Sequence, residues 1–376
     1  MPNPDVWKMI LRSKLSTFST LIFAGLVKNA GKTTALNAIN TLFPDESLGL
    51  TSLGYDGETQ DAIYRHPKPS ISVRTGQIIL TAERFLPDTP KRYDILETWG
   101  NHPQFGSWQI LKITAPGDFR MAGPSALSEL VEGISRLRYH GARRIHVDGA
   151  LNRLSHISVT SLAKTEEAVA FDTLQELSGR EKIKRIVNRD AGIVLSTSAA
   201  LGNTLNEVIE RTLHNLELFQ LPSFSRSSPI PLINSGQDQA LPFQQNAYFH
   251  QGSWSLLPTF LWNQALKVLI PAQTDSIYLK GALTDSIYLA LRAAERLPYR
   301  FIVRSPAHVL LSPAVWNGLK SRGIEVTLLD SPHLAILTLC PWHPITPIPT
   351  ERMAEALLPY IKIPMVDMQK QEVWLP

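Results

Sequence analysis

Residues Gly25–Thr34 read "GLVKNAGKTT". Two glycines, a lysine and two threonines in this order make a phosphate-binding loop of the G-x-x-x-x-G-K-[ST] kind, with one residue more than the usual spacing. Five residues separate Gly25 from Gly31, and the position where the shorter spacing places glycine holds Leu26. Upstream, "STLIFAG" is a compact apolar run ending in glycine, as a buried parallel strand does. Downstream, "TTALNAINTLF" sets Leu36, Ile39, Leu42 and Phe43 at helical spacing. Strand, glycine loop and helix together are the context this motif requires.

The chemistry of a triphosphate explains the residue types. Glycines let the backbone curl, so that the N–H groups of Asn29, Ala30 and Gly31 can meet phosphate oxygens. A helix beginning near Lys32 presents unsatisfied N–H groups and roughly half a unit of positive charge. Lys32 can reach the β- and γ-phosphates, the Thr33 hydroxyl can ligate Mg²⁺, and Thr34 can bond the α-phosphate. The other reading of the stretch is a glycine turn that opens a helix and holds no nucleotide.

Mg²⁺ also calls for carboxylates, directly or through water. Asp148 ends the apolar strand "RIHVDG", and ligands of open α/β sheets sit beyond the carboxyl ends of strands. The other reading of Asp148-Gly149 is an ordinary turn. Asp56 and Glu58, in "SLGYDGE", form the second acidic candidate. Asp56 could hold Mg²⁺ through water and Glu58 could orient an attacking water, or both could be solvated acids of a turn. The ten histidines show no metal-ligand spacing, so His146 and His308 read as structural. No nucleophile elbow or zinc signature occurs.

Patterning extends the reading along the chain. Residues 1–18 predict a short helix. Residues 47–123 hold short extended pieces expected to add strands to the parallel sheet. "SALSELVEGISRLRYHGA" predicts a helix capped by Ser125 and ended by Gly141. Residues near 155–190 form a polar insertion, followed by the strand "AGIVLSTSAAL" and the helix "GNTLNEVIERTLHNLELF". Residues 222–245, with four prolines, predict a linker. A second alternation of strands and helices fills 246–376. The fold class is therefore α/β: a parallel-sheet nucleotide-binding domain over 1–221, helices on both faces, and a smaller α/β domain after the linker. "TDSIYL" occurs at 274–279 and 284–289, first at an expected strand and then at an expected helix.

Composition limits the function classes. The chain has 376 residues, 44% hydrophobic and 19% charged, with a formal net charge of +4. That is an ordinary globular balance. Basic residues are spread and aromatic residues dispersed, so neither nucleic-acid binding nor base stacking is indicated. Two local clusters, Arg136/Arg138/Arg143/Arg144 and Arg180/Lys182/Lys184/Arg185, read as solvated helix faces or ends. Cys340 is the single cysteine, which excludes an intrachain disulfide and a multi-thiolate zinc site. It stands in an apolar run and reads as a buried, inert thiol. The apolar runs are too short to span a bilayer. A cytoplasmic setting without membrane contact is expected.

The five-residue spacing resembles the loop of dethiobiotin synthetase and its relatives, the ATP-dependent cobyrinate amidases and CTP synthetase. These are P-loop NTPases of the class that includes the MinD- and ParA-type ATPases. The signature lysine of some branches falls on Val27, so Lys28 is given no such role. Four segments, "GLVKNAGKTT", "TSLGYDGET", "VDGALNR" and "STSAALGNTLNEVIERT", together resemble the ATPase-like subunit of lysine 5,6-aminomutase reactivases, the KamB type. The likeness continues in "GALTDS", "LTLCPWHPITP" and "IPMVDM". It implies a three-layer α/β/α P-loop domain that binds ATP and Mg²⁺, through Gly25, Gly31, Lys32, Thr33 and Thr34 and through Asp56, Glu58 and Asp148. It also implies a second reactivase subunit as partner and an adenosylcobalamin-dependent aminomutase as client, from which damaged cobalamin would be released. ATP over GTP comes from the resemblance alone; no N-K-x-D segment is present to argue for GTP. Two other functions fit the loop: an ATP-dependent enzyme of the dethiobiotin synthetase or cobyrinate amidase type acting on a small carboxylate, and a low-turnover nucleotide-binding regulator.

Overall fold

The computed structural model describes residues 5–54, 70–86, 92–149, 191–224, 246–257, 270–329 and 331–376. Asp56, Glu58, the polar segment 155–190 and residues 225–245 of the expected linker lie outside the described residues. In chain order the described elements begin with α1 (Val6–Leu15), β1 (Thr20–Gly25), α2 (Lys32–Asn40), β2 (Leu48–Ser52), β3 (Ile71–Val73), β4 (Ile78–Ala82), β5 (Tyr93–His102), β6 (Gly106–Ile113) and β7 (Gly117–Phe119). Next come α3 (Leu127–Tyr139), β8 (Arg144–Asp148), β9 (Ala191–Ser198), α4 (Leu205–Phe219), β10 (Ala247–His250), β11 (Ser253–Leu256), β12 (Ser276–Leu279) and β13 (Leu283–Thr284). The chain ends with α5 (Asp285–Ala293), β14 (Arg300–Val303), β15 (Val309–Leu310), α6 (Pro313–Lys320), β16 (Glu325–Leu328), β17 (His333–Cys340), α7 (Thr350–Leu357), β18 (Met365–Asp367) and β19 (Glu372–Trp374).

The fold is mixed α/β with several sheets. The largest has ten strands in the order β19-β18-β17-β9-β1-β8-β2-β4-β6-β5. From β18 to β4 each neighbouring pair runs parallel. The flanking strands β19, β6 and β5 run antiparallel to their neighbours. Alternation along the strands sends Leu21, Phe23, Leu50 and Ile79 to one face, where α1 contributes Trp7, Leu11 and Leu15 and α2 contributes Leu36 and Ile39. Leu80, next along β4, points the other way and meets α3, where a side chain at Gly133 would collide with it.

The contacts divide the chain into two units, Met1–Asn215 with Pro332–Pro376, and Leu216–Ser331. This differs from a C-terminal domain over 246–376. Strand β17 returns to the first unit and pairs with β9. Its residues Ala335–Leu339 are buried and apolar or hydrogen-bonded, so the strand fits only a sheet interior. Linear alternation of strand and helix does not say which sheet such a strand joins. In the second unit, β12, β14 and β16 run parallel, with β10 and β11 added antiparallel. Ile277, Leu279, Phe301, Val303, Trp316 and Leu328 belong to its core.

Three local expectations change. Within 47–123, β2 and β4 extend the parallel sheet, but β5 and β6 form an antiparallel hairpin, and among the described residues β3 pairs only with β7. The connection from His102 to Gly106 is too short for a parallel crossover. Helix α3 begins one residue later than expected, behind Ala126, and has no side-chain cap, so Ser125 does not cap it. The first basic cluster is a solvated face only in part: Arg143 is exposed, while Arg144 is buried. Arg136 pairs with Glu97 and Glu132, and Arg138 donates to the hydroxyl of Thr20 at 3.0 Å. The second basic cluster lies outside the described residues.

Arg144 is 2% exposed. Its Nε donates to Glu46 at 2.7 Å, its Nη1 donates to the carbonyls of Leu15 and Phe18, and its guanidinium lies 3.9 Å from the Phe43 ring centroid. One cation thus ties the end of α1, the loop before β1 and the loop after α2 to the start of β8. Its removal leaves buried carbonyls without donors and Glu46 without its partner. Arg144→Ala is therefore expected to lower stability by about 3 kcal/mol in urea unfolding, with Arg144→Lys restoring only part of it because lysine lacks the planar fork.

Candidate functional site

The loop between β1 and α2 is shaped by two left-handed residues. Asn29 has φ 60° and Gly31 has φ 81°. Its first residue is pinned to the neighbouring strand, where the Leu26 N–H donates to the Ser196 carbonyl at 2.9 Å. Strand β17 supports that strand in turn, as the Thr338 hydroxyl donates to the Ser196 hydroxyl at 2.7 Å. Helix α2 opens behind Gly31 with no side-chain cap. The first turn, holding Lys32, Thr33 and Thr34, therefore has N–H groups without an intrahelical partner. That is an electropositive end suited to an anion.

Parallel pairing places β8 beside β1. Phe23 is in register with Asp148 on one side, and Ser52 of β2 with Asp148 on the other. The Asp148-Gly149 turn is held by the main chain: Gly149 N–H donates to the Phe23 carbonyl at 2.8 Å, and Leu53 N–H to the Asp148 carbonyl at 2.7 Å. The carboxylate is left for the loop. Lys32 Nζ lies 3.1 Å from Asp148 Oδ1, with side chains 20% and 17% exposed. Six residues of the expected set, Gly25, Asn29, Ala30, Gly31, Thr33 and Thr34, thus occupy the loop and helix start, and Lys32 and Asp148 meet across it. Asp56 and Glu58 are outside the described residues.

His146, two residues before Asp148, is fully buried among Phe23, Phe43 and Asn40. Its Nδ1 is 2.6 Å from Asn40 Oδ1. Burial first, and the Arg144 charge second, push its pKa down to about 3. It is a neutral ring that anchors α2 to β8. His308 is likewise buried, with Nδ1 3.0 Å from the Ser305 hydroxyl. No group of three or more His, Cys, Asp or Glu side chains able to hold a metal occurs among the described residues. A cation here would rely on oxygen from Thr33 and Asp148, with phosphate and water completing its shell, as Mg²⁺ does.

Cys340 is only partly buried, and burial raises its thiol pKa. The surprise is its position. Its Sγ lies 3.9 Å from the Asn29 carbonyl, and a Cβ on Gly31 would stand 3.3 Å from the Cys340 Cβ. A cleft beside the loop is lined by Ala30, Gly31, Thr34, Cys340, Asp367 and Gln369. Asp367 accepts from the Thr350 hydroxyl at 2.6 Å and from the backbone N–H groups of Gln369 and Lys370, which fixes the wall of that cleft. The placement of β9, β17 and β18 around the loop is not legible in the sequence. Nothing in "STS", "LTLC" or "VDM" announces it, because the contacts cross long stretches of chain.

The chain matches no protein-family model, no curated protein and no solved structure. No helix among the described residues is long and apolar enough to cross a membrane.

Two outcomes follow from this geometry. Gly31→Ala places a side chain at a positive φ and against Cys340, so it is expected to cost about 1–2 kcal/mol in thermal or urea unfolding. For His146 the folded pKa is depressed, so the unfolded chain binds the extra proton first. Its stabilising contribution is whole above about pH 6.5 and is lost as pH falls from there toward about 3. Urea midpoints measured across that window should fall for the native protein and fall less for His146→Gln.

Proposed function

We propose that the chain is an ATP- and Mg²⁺-binding P-loop protein, with a three-layer α/β/α nucleotide-binding domain, that acts on a partner protein. One observation carries this reading: a left-handed Gly31 opens an uncapped α2 at the end of β1, with Lys32 facing Asp148 at the end of the adjacent parallel strand. An electropositive helix end beside a carboxylate supports binding of a polyanion together with a hard cation.

In this reading the loop amides and the N–H groups of the first α2 turn bind phosphate oxygens. Lys32 moves from Asp148 to the β- and γ-phosphates. Thr33 and Asp148 hold Mg²⁺, directly or through water, and the ion would neutralise charge on the phosphates. Asp56 and Glu58 are proposed to join them, Asp56 toward the ion and Glu58 toward a water. Thr34 addresses the α-phosphate. The geometry fits an ATPase, but the choice of adenine and the client rest on the resemblance to reactivase subunits. That resemblance supports release of damaged cobalamin from an aminomutase-like client, together with a second reactivase subunit, in the cytoplasm. Nucleotide would drive such release by differing in affinity for two states of the assembly.

Calorimetric titration of the pure protein with Mg-ATP should show binding, and Lys32→Ala should weaken it at least about tenfold, the loss of one charge-assisted contact. ATP turnover should rise when an adenosylcobalamin-dependent aminomutase is added. Turnover that needs a small carboxylate and no protein would replace this reading with a biosynthetic enzyme. Absence of any heat or thermal protection with ATP or GTP would remove the nucleotide altogether.

A further inference from the structure

We infer that Gln369, on the turn between β18 and β19, reads the base of the bound nucleotide and prefers adenine to guanine. The inference rests on the nucleotide reading above and adds a base-specific contact to it. In that reading the phosphate chain runs from Lys32 and Asp148 at its outer end to Thr34 at the α-phosphate. Thr34 also lines the cleft beside the loop. The ribose and base that follow the α-phosphate therefore leave the loop over Thr34 and enter this cleft.

One carboxylate builds the wall that Gln369 belongs to. Asp367 is 1% exposed. Its Oδ2 accepts from the Thr350 hydroxyl at 2.6 Å, and its Oδ1 accepts from the N–H groups of Gln369 at 2.8 Å and Lys370 at 3.0 Å. Three donors thus commit the carboxylate to the turn. The turn in its place presents Met368 and the exposed Gln369 to the cleft. Among the described residues the Gln369 side-chain amide makes no hydrogen bond. On the β17 side the Thr338 hydroxyl is already given to Ser196, and the Cys340 thiol is a weak donor whose burial keeps it protonated. With Thr34 given to the α-phosphate, Gln369 is the side chain left to read the base. Its carbonyl can accept from adenine N6 while its NH₂ group donates to N7. Guanine presents two acceptors on that edge and cannot complete the pair. The sulfurs of Met368 and Cys340 suit contact with an aromatic ring.

The test compares ATP and GTP, both with Mg²⁺, by calorimetry for the native chain, Gln369→Ala and Gln369→Arg. The native chain should bind ATP roughly tenfold more tightly than GTP, the discrimination that a bidentate base contact gives. Gln369→Ala should bring the ratio toward one. Gln369→Arg should reverse it, because a guanidinium matches the two acceptors of guanine. Both substitutions sit on an exposed turn and keep its backbone bonds to Asp367. A native chain without preference for ATP, or a preference that neither substitution moves, overturns the assignment. Cys340, partly exposed and the single cysteine, gives a readout that needs no variant. Mg-ATP should slow its alkylation by iodoacetamide, whereas inorganic triphosphate with Mg²⁺ should leave it near the ligand-free rate. Equal protection by the two overturns the placing of the base in the cleft. Failure of the native chain to bind ATP, GTP or triphosphate overturns the nucleotide reading itself, an outcome distinct from the others.

Discussion

A buried strand has to become a helix within the six residues from Leu26 to Gly31, and that constraint organises the first unit. Right-handed backbone alone does not make the turn, so the chain uses left-handed conformations at Asn29 and Gly31. Asparagine tolerates that region and glycine has no Cβ to oppose it. Once the turn is made, α2 must pack its Leu36 and Ile39 against the face of β1, and its uncapped start must point toward the carboxyl ends of the strands. The electropositive helix end and the acidic strand end meet because of this packing.

The scaffold around the loop is rigid for reasons that lie in its hydrogen bonds. Leu26 is tied to Ser196, Ser196 to Thr338, and Cys340 of the same strand abuts Asn29 and Gly31. On the other side, Arg144 draws the end of α1 and Glu46 onto the beginning of β8, the strand that ends in Asp148. His146 then joins that strand to α2 through Asn40. The residues that could do chemistry stand at the ends of β1, α2 and β8, elements that pack into the core. Position is set by packing, with the buried Arg144 as the charged exception.

Much of this was legible in the residues themselves. The apolar run of β1, the 3.6 periodicity of α2 and the glycine-lysine-threonine order between them specify a strand, a loop and a helix through local sterics and burial. The two copies of "TDSIYL" show where such reading holds and why. The first copy ends in β12, flanked by β10 and β14. The second begins α5, where the Thr284 hydroxyl accepts the Ile287 N–H and Asp285 sits in the first turn. The flanking residues provide different partners, and identical propensities yield to them. The same dependence explains the errors. Arg144 looked like a surface charge because its partners Leu15, Phe18 and Glu46 are far away in sequence, and β17 looked like part of the later domain because parallel strands reveal no neighbour.

By itself the sequence determined the strand, the loop and the helix around Gly25–Thr34, since backbone conformation and amphipathic period act over a few residues. Only the tertiary structure decided that β8 lies against β1, so that Asp148 meets Lys32, and that β9 and β17 close the other flank. Strand order is fixed by which buried faces and unpaired backbone groups find each other across long loops. That is a global balance of burial against chain entropy, and no short stretch of residues contains it.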